Sequence, residues 1–257
     1  MTLREKFVAF QTIVTREIRR FARIWIQTIL PAMITTALYF VIFGNLIGKQ
    51  IGDMDGFRYI DYIIPGLILM SIITNSYANV VSSFYSAKFQ RNIEEMLVSP
   101  VPNYIILLGF IGGGVARGMS CGIAVTIVAM FFSNVGIENY LVVFSIALLT
   151  AILFSLGGFI NAVFAKSFDD ISIVPTFVLT PLTYLGGIFY TITVLPEFWQ
   201  KASLINPILY MVNAFRYGVL GSSDINVVTS YSIILIFIAV LFTFSLFLLE
   251  KGHGIRK

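Results

Sequence analysis

The sequence predicts an all-α polytopic membrane protein of six transmembrane helices, on three observations. The 257 residues are 58% hydrophobic and only 12% charged, with a mean hydropathy of +0.90. Soluble domains carry about 25% charge, and a globule of this composition would leave its surface covered in apolar side chains. Apolar runs of about 20 residues, the length that crosses a bilayer, recur along the chain. Between alternate runs, Lys and Arg gather.

Residues 1–22 open the chain as a basic amphipathic helix. Phe7, Phe10, Ile13, Val14, Ile18 and Phe21 recur at spacings of three or four, and Arg4, Lys6, Arg16, Arg19 and Arg20 fill much of the rest. Such a helix lies in the membrane interface, its apolar stripe in the lipid boundary and its cations near anionic headgroups. The next run holds no charge from Ile24 to Gly48. That is too long for a signal-peptide core of about 7–15 residues, so it is expected to remain as the first span. Spans follow from the apolar pattern at 24–47, 62–87, 103–132, 139–165, 171–193 and 225–249. The apolar piece at 202–215 is too short to cross and suits a re-entrant segment. No repeat or linker divides the chain, so residues 1–257 read as one membrane domain.

Six spans put both termini on one side. That side would hold Arg4, Lys6, Arg16, Arg19, Arg20, Arg23, Lys88, Arg91, Lys166, Lys251, Arg256 and Lys257, and the other only Lys49, Arg58, Lys201 and Arg216. Cytoplasmic loops carry the excess of Lys and Arg, so both termini are expected in the cytoplasm. Loops 88–102 and 166–170 then face inward, and 49–61, 133–138 and 194–224 outward.

Three spans carry unusual residues. In the third, "GFIGGGVARGMSCG" (109–122) sets Gly109 and Gly113 four apart, and Gly114, Gly118 and Gly122 likewise, a spacing that lets helix backbones approach closely in lipid. Arg117 sits among them. An intramembrane charge must snorkel, pair or face water, so headgroups, a subunit seam and a water-filled vestibule all remain open for it. The fifth span holds Pro175, Pro181, Gly186 and Gly187, which favour kinks. Before the sixth, Trp199, Tyr210 and Tyr217 suit the membrane–water boundary, and Asn206-Pro207 should split 194–224 into a hairpin of two short helices, dipping into the outer leaflet and capping the bundle.

Catalytic chemistry is poorly supplied. One Cys and one His exclude a disulfide framework and a Cys/His zinc cluster. The His, His253, lies four residues from the end. The pairs Glu94-Glu95 and Asp169-Asp170 lie in short loops without an apolar pocket to tune them, leaving a solvated loop or a protein contact. No G-x-x-x-x-G-K-[ST] loop exists; "NLIGKQ" (45–50) lacks the upstream glycine and the hydroxyl residue. The chain is therefore expected to bind no cofactor and to be no enzyme by itself, and any coupling to ATP must come from another polypeptide. "FQRNIEEMLVSPVP" (89–102) has the form of a lever for such a partner: Arg91, Glu94 and Glu95 on a short helix, Met96, Leu97 and Val98 as an apolar plug, and Pro100 and Pro102 ending it.

"TPLTYLGGIFYTITVLPEFWQKASLINPILYMVNAFRYGVLG" (180–221) resembles the C-terminal signature of the ABC-2 type exporter permeases, where a proline-containing span leads through "LP…W" into "NP…Y…R". "FQRNIEEMLVSPVP" is similar to that family's cytoplasmic loop. The match spans nearly the whole chain, with one departure at Tyr190, where many members carry proline. The resemblance implies a half-transporter of the bacterial inner membrane. Two copies of the permease assemble with two of a separate ABC ATPase, which holds ATP and magnesium. It further implies that Arg91, Glu94, Glu95 and Leu97, ended by Pro100, form the coupling helix. Asp169 and Asp170 lie in the second coupling loop, and the basic N-terminal helix is a connecting helix packed against the ATPase. Trp199, Asn206, Pro207 and Arg216 belong to the outward hairpin. The function expected is ATP-driven export of a hydrophobic or amphipathic compound, with lipid around it and no nucleic-acid partner. An ATP-independent channel or carrier, and a non-transporting membrane anchor for a regulatory ATPase, are the alternatives.

Overall fold

The computed structural model describes residues 1–134, 136–252 and 254. Arg256 and Lys257 of the charge count and the lone histidine, His253, lie outside the described residues, as does the side chain of Lys49. Helix α1 (Leu3–Arg23) starts on a reciprocal cap. Thr2 Oγ1 accepts from the Glu5 amide at 3.3 Å and Glu5 Oε2 from the Thr2 amide at 2.8 Å, so two otherwise orphaned donors are satisfied. After a break at Ile24, α2 (Trp25–Tyr39) runs on through a wider π-helical stretch, Phe40–Ile47, into the single turn α3 (Gly48–Ile51). A two-residue hairpin, β1 (Asp53–Met54) with β2 (Phe57–Arg58), turns the chain. Then come α4 (Tyr59–Phe89), the short α5 (Asn92–Val98), α6 (Asn103–Met130) and α7 (Tyr140–Phe164). The remaining helices are α8 (Asp170–Val174), α9 (Thr180–Tyr184), α10 (Glu197–Ser203), α11 (Pro207–Leu220) and α12 (Val227–Lys251).

Among the described residues five helical stretches are long and apolar enough to cross a membrane: Trp25–Gly44, Tyr59–Phe89, Asn103–Met130, Tyr140–Phe164 and Val227–Lys251. The run expected as a continuous span over 171–193 is not one. Helix continues from Asp170 through the π-helical Pro175–Leu179 only to Tyr184, about 22 Å at 1.5 Å per residue, against a hydrocarbon core of about 30 Å. The chain then leaves the helix through Gly186 and Gly187, and Gly187 sits at φ +71°, a left-handed conformation that glycine adopts at no steric cost.

Helix α4 is the hub. Its sides are buried nearly throughout, mainly against α6 and α7, whereas α2 and α12 leave most of their surface open. Small residues set this packing. A Cβ on Gly158 of α7 would stand 2.5 Å from the Tyr77 carbonyl oxygen of α4. Glycines on α6 form two rows. Gly109, Gly112 and Gly113 receive Ile13, Val14 and Glu17 of α1, while Gly114, Gly118 and Gly122 receive Val80, Ser76 and Ile72 of α4. So α1 does not rest its whole apolar stripe in lipid. Ile13, Val14 and the buried Phe21 face protein, and Phe7, Val8 and Ile18 stay exposed.

These contacts give a stability test. Gly158→Ala meets backbone that cannot rotate away, and overpacking of this kind costs about 1–3 kcal/mol. Gly157, whose added Cβ would find Tyr77 at 3.8 Å, should accept Ala within about 0.5 kcal/mol. Thermal unfolding of the two purified variants measures the difference.

Candidate functional site

At the basal end, where α4 and α7 finish and α6 begins, α5 is built as a two-sided helix. Arg91 makes the turn from α4 at φ +62°. Ile93 is fully buried, and Met96 and Leu97 pack against the core. Glu94 and Glu95 are exposed and form no ion pair among the described residues, and Val98 points outward, 84% exposed. Of the three residues expected as an apolar plug, Met96 and Leu97 are thus half-buried against the core, because a helix places positions 93, 96 and 97 on one face. Pro100 is exposed, and Pro102 starts α6.

The base of α4, just before α5, is bolted to α7 and to the second loop. Lys88 Nζ donates to the carbonyls of Val163 at 2.6 Å and Ala165 at 2.7 Å, closing the C-terminus of α7 where carbonyls lack helical partners and the dipole favours a cation. Phe168 lies edge-on to Tyr85 at 4.8 Å and to Phe89 at 5.3 Å. The two carboxylates of the second loop part company. Asp170 Oδ2 accepts the amides of Lys166 at 2.8 Å and Ser167 at 3.1 Å, and Ser167 Oγ accepts the Asp170 amide. The Lys166 amide, then Ser167, holds the Asp170 carboxyl below its ordinary range. Asp169 is exposed, with no side-chain bond among the described residues. Asp170 thus closes the loop, and Asp169 is left to face outward.

Within the bundle, Gly114 lies against Val80 and Ser155, and Gly118 against Ser76. Between them Arg117 reaches α4, where Nη2 donates to Asn75 Oδ1 at 3.3 Å. Asn75 also lines a cavity of about 260 Å³ between α2 and α4, together with Thr28, Thr36, Ser71 and Thr74 on one hand and Pro31, Leu67 and Met70 on the other. Sequence reasoning missed this cavity. The hydroxyl-rich positions of the first two spans were its signal.

At the apical end, Arg216 is 2% exposed. Its Nη2 donates to the Gly187 carbonyl at 2.6 Å, and the guanidinium lies 3.9 Å from the Tyr62 ring centroid. Asn206 Nδ2 donates to the Leu182 carbonyl at 2.6 Å, while its Oδ1 accepts the Ile208 amide at 3.0 Å. Tyr59 OH donates to Phe189 O, and Tyr190 OH to Tyr184 O. These side chains satisfy the carbonyls that the broken fifth segment leaves without helical partners. Pro207 occupies the first turn of α11, where its missing amide costs nothing. Trp199 is half-exposed and packs edge-on to Phe198 on α10. The expected surface cap is therefore divided: α10 is exposed, whereas α11 enters the core with Met211, Val212 and Phe215 buried.

The profile of the ABC-2 type transporters matches residues 8–220, a stretch that includes the lever, the glycine rows and the apical network. The chain belongs to the ABC-2 type transporter family. It is 56% identical over 251 residues to the inner membrane transport permease YadH of Escherichia coli K12, covering 98% of both chains. It is 24% identical over 227 residues to nodulation protein J of Rhizobium leguminosarum bv. viciae, covering 88% of both. A similar likeness, 24% over 217 residues, relates it to nodulation protein J of Sinorhizobium fredii NGR234. As an ABC-2 permease the chain is the membrane subunit of an ABC transporter, not itself catalytic, and the family implies partnership with an ABC ATPase.

The apical network of this ABC-2 permease yields a direct test. Arg216→Met leaves the Gly187 carbonyl buried without its donor, a loss of about 1–3 kcal/mol. Arg216→Lys keeps the charge but not the planar stacking on Tyr62 and should fall between. Limited proteolysis within 185–191 should accelerate in the order wild type, Lys, Met, with thermal midpoints falling in the same order.

Proposed function

We propose that two copies of this chain form the membrane pathway of an ATP-driven exporter. It moves a hydrophobic or amphipathic compound from the cytoplasm or inner leaflet across the bacterial inner membrane. Two copies of a separate ATPase, which carry the ATP and magnesium, drive it. Both termini face the cytoplasm, so the basal end meets the ATPase, and α8–α9 with the loop and hairpin after it makes the sixth crossing. The observation that carries this reading is the construction of α5. Exposed Glu94 and Glu95 offer charge to a partner, while Ile93 fixes the same helix to the core and Lys88, at the end of α4 just before it, ties that helix to α7. Force applied to the carboxylates is thereby delivered to the hub helix α4. Arg91 and Asp169 extend the contact surface, and Pro100 stiffens its exit.

The family and the inner-membrane transport permease of E. coli support the class and the location. The mixed lining of the cavity between α2 and α4, hydroxyls facing Pro31, Leu67 and Met70, supports an amphipathic cargo. Few charged side chains lie within the spans, which disfavours an ion pump.

Charge reversal tests the reading. Glu94→Arg with Glu95→Arg exchanges attraction for repulsion at the contact, and loss of interfacial charge pairs costs about 2–5 kcal/mol. The ATPase should co-purify at least roughly tenfold less well, or hydrolyse ATP without transport in liposomes. The permease itself should unfold at an unchanged temperature. An assembled, fully coupled double variant would refute the lever.

A further inference from the structure

A cleft of about 900 Å³ opens at the basal end between α1, the last turns of α4 and α5. Arg16, Arg19, Arg20 and Arg23, spaced along one face of α1, line one wall, and Ser83 and Ser86 of α4 stand opposite. Glu17 is 1% exposed and pairs with Arg16 Nη2 at 3.1 Å and Arg20 Nε at 3.2 Å. Arg20 Nη2 reaches further to Asn79, at 3.0 Å to its carbonyl and 2.8 Å to Oδ1. One buried carboxylate thus holds two guanidinium groups in place. Arg19 and Arg23 are exposed and make no ion pair or hydrogen bond among the described residues. Among the described residues Glu17 is the sole carboxylate in the lining, so the cleft's four arginines keep three positive charges uncompensated there. Fixed guanidinium forks beside hydroxyl donors are the chemistry that grips phosphate.

We infer that this cleft binds the phosphate of an anionic lipid headgroup. The surroundings point to a lipid source. Ile24 is part of the lining, and Trp25 and Ile26, next along the chain, are 54% and 56% exposed. On the other side of the arginines Phe7 and Val8 are also exposed. Acyl chains have an apolar surface beside the cations, the arrangement of a helix that reads anionic membranes. The site goes beyond the export reading and stands without it. A headgroup seated here would touch α1, α4 and α5 together, joining the N-terminal helix to the lever.

The chain has two tryptophans, so Trp199→Phe leaves Trp25 as a reporter beside the cleft. The full-length permease is placed in phosphatidylcholine nanodiscs with a minor fraction of brominated phosphatidylglycerol or, separately, brominated phosphatidylcholine. Trp25 should be quenched more by the anionic lipid. That preference should fall roughly thirtyfold in Arg19→Gln/Arg23→Gln, at about 1 kcal/mol for each of the two cations near the surface, and survive in Arg19→Lys/Arg23→Lys. The Glu17 network is untouched in both. Equal quenching by the two lipids overturns the site, as does an undiminished preference in the Gln variant. Inorganic phosphate that binds by calorimetry without lipid enrichment overturns the lipid assignment. Loss of ATPase co-purification in the Gln variant with lipid preference intact assigns the arginines to the protein partner and overturns it too.

Discussion

A guanidinium group buried under a broken helix organises the apical half of this protein. The fifth apolar segment stops after Tyr184, and in a setting without water its open carbonyls need donors. Arg216 supplies one to Gly187, and Tyr62 covers the cation with its ring face. Asn206 supplies another to Leu182 while capping α11. Because these donors stand on α11 and just before it, that helix must enter the core for the break to be tolerated. The re-entrant architecture and the interruption of the fifth segment are thus one structural decision.

The basal half is governed by close approach. Two glycine rows on α6 let α1 settle on one side and α4 on the other, so a single helix links the N-terminal segment to the hub. Glu17 lies buried at that junction with Arg16 and Arg20. A buried charge is tolerated when paired and hydrogen-bonded, and Asn79 of α4 completes the set. Lys88 ties the base of α4 to the end of α7, and Phe168 wedges the second loop against Tyr85 and Phe89. The short helix α5, the second loop and α1 therefore pack on one connected set of helices, α4, α6 and α7.

Hydropathy and spacing alone made much of this legible. The all-helical membrane class, the long spans near 24–47, 62–87, 103–132, 139–165 and 225–249, the short helix at 92–98 and the break at Asn206-Pro207 correspond to helices or breaks at or close to those positions. These features rest on local chemistry: uninterrupted apolar length, proline without an amide, glycine without a side chain. The glycine spacing in "GFIGGGVARGMSCG" likewise announced close packing, though not which helix would fill each row. Leu97 and Asp170, expected as contact residues, also pack against the core and close the second loop. Their local patterns were compatible with either role.

The sequence by itself determined that the chain lives in a membrane, roughly where its long helices run, and that its adjacent carboxylates stand outside the apolar runs. Apolar length and charge placement fix these without reference to neighbours. Only the tertiary structure decided that the fifth segment breaks before crossing as one helix, that Arg216 is buried, that Arg117 meets Asn75, and that four arginines of α1 wall a cleft with α4 and α5. Each of those outcomes depends on a donor or a surface supplied from tens of residues away, and no local pattern carries that information.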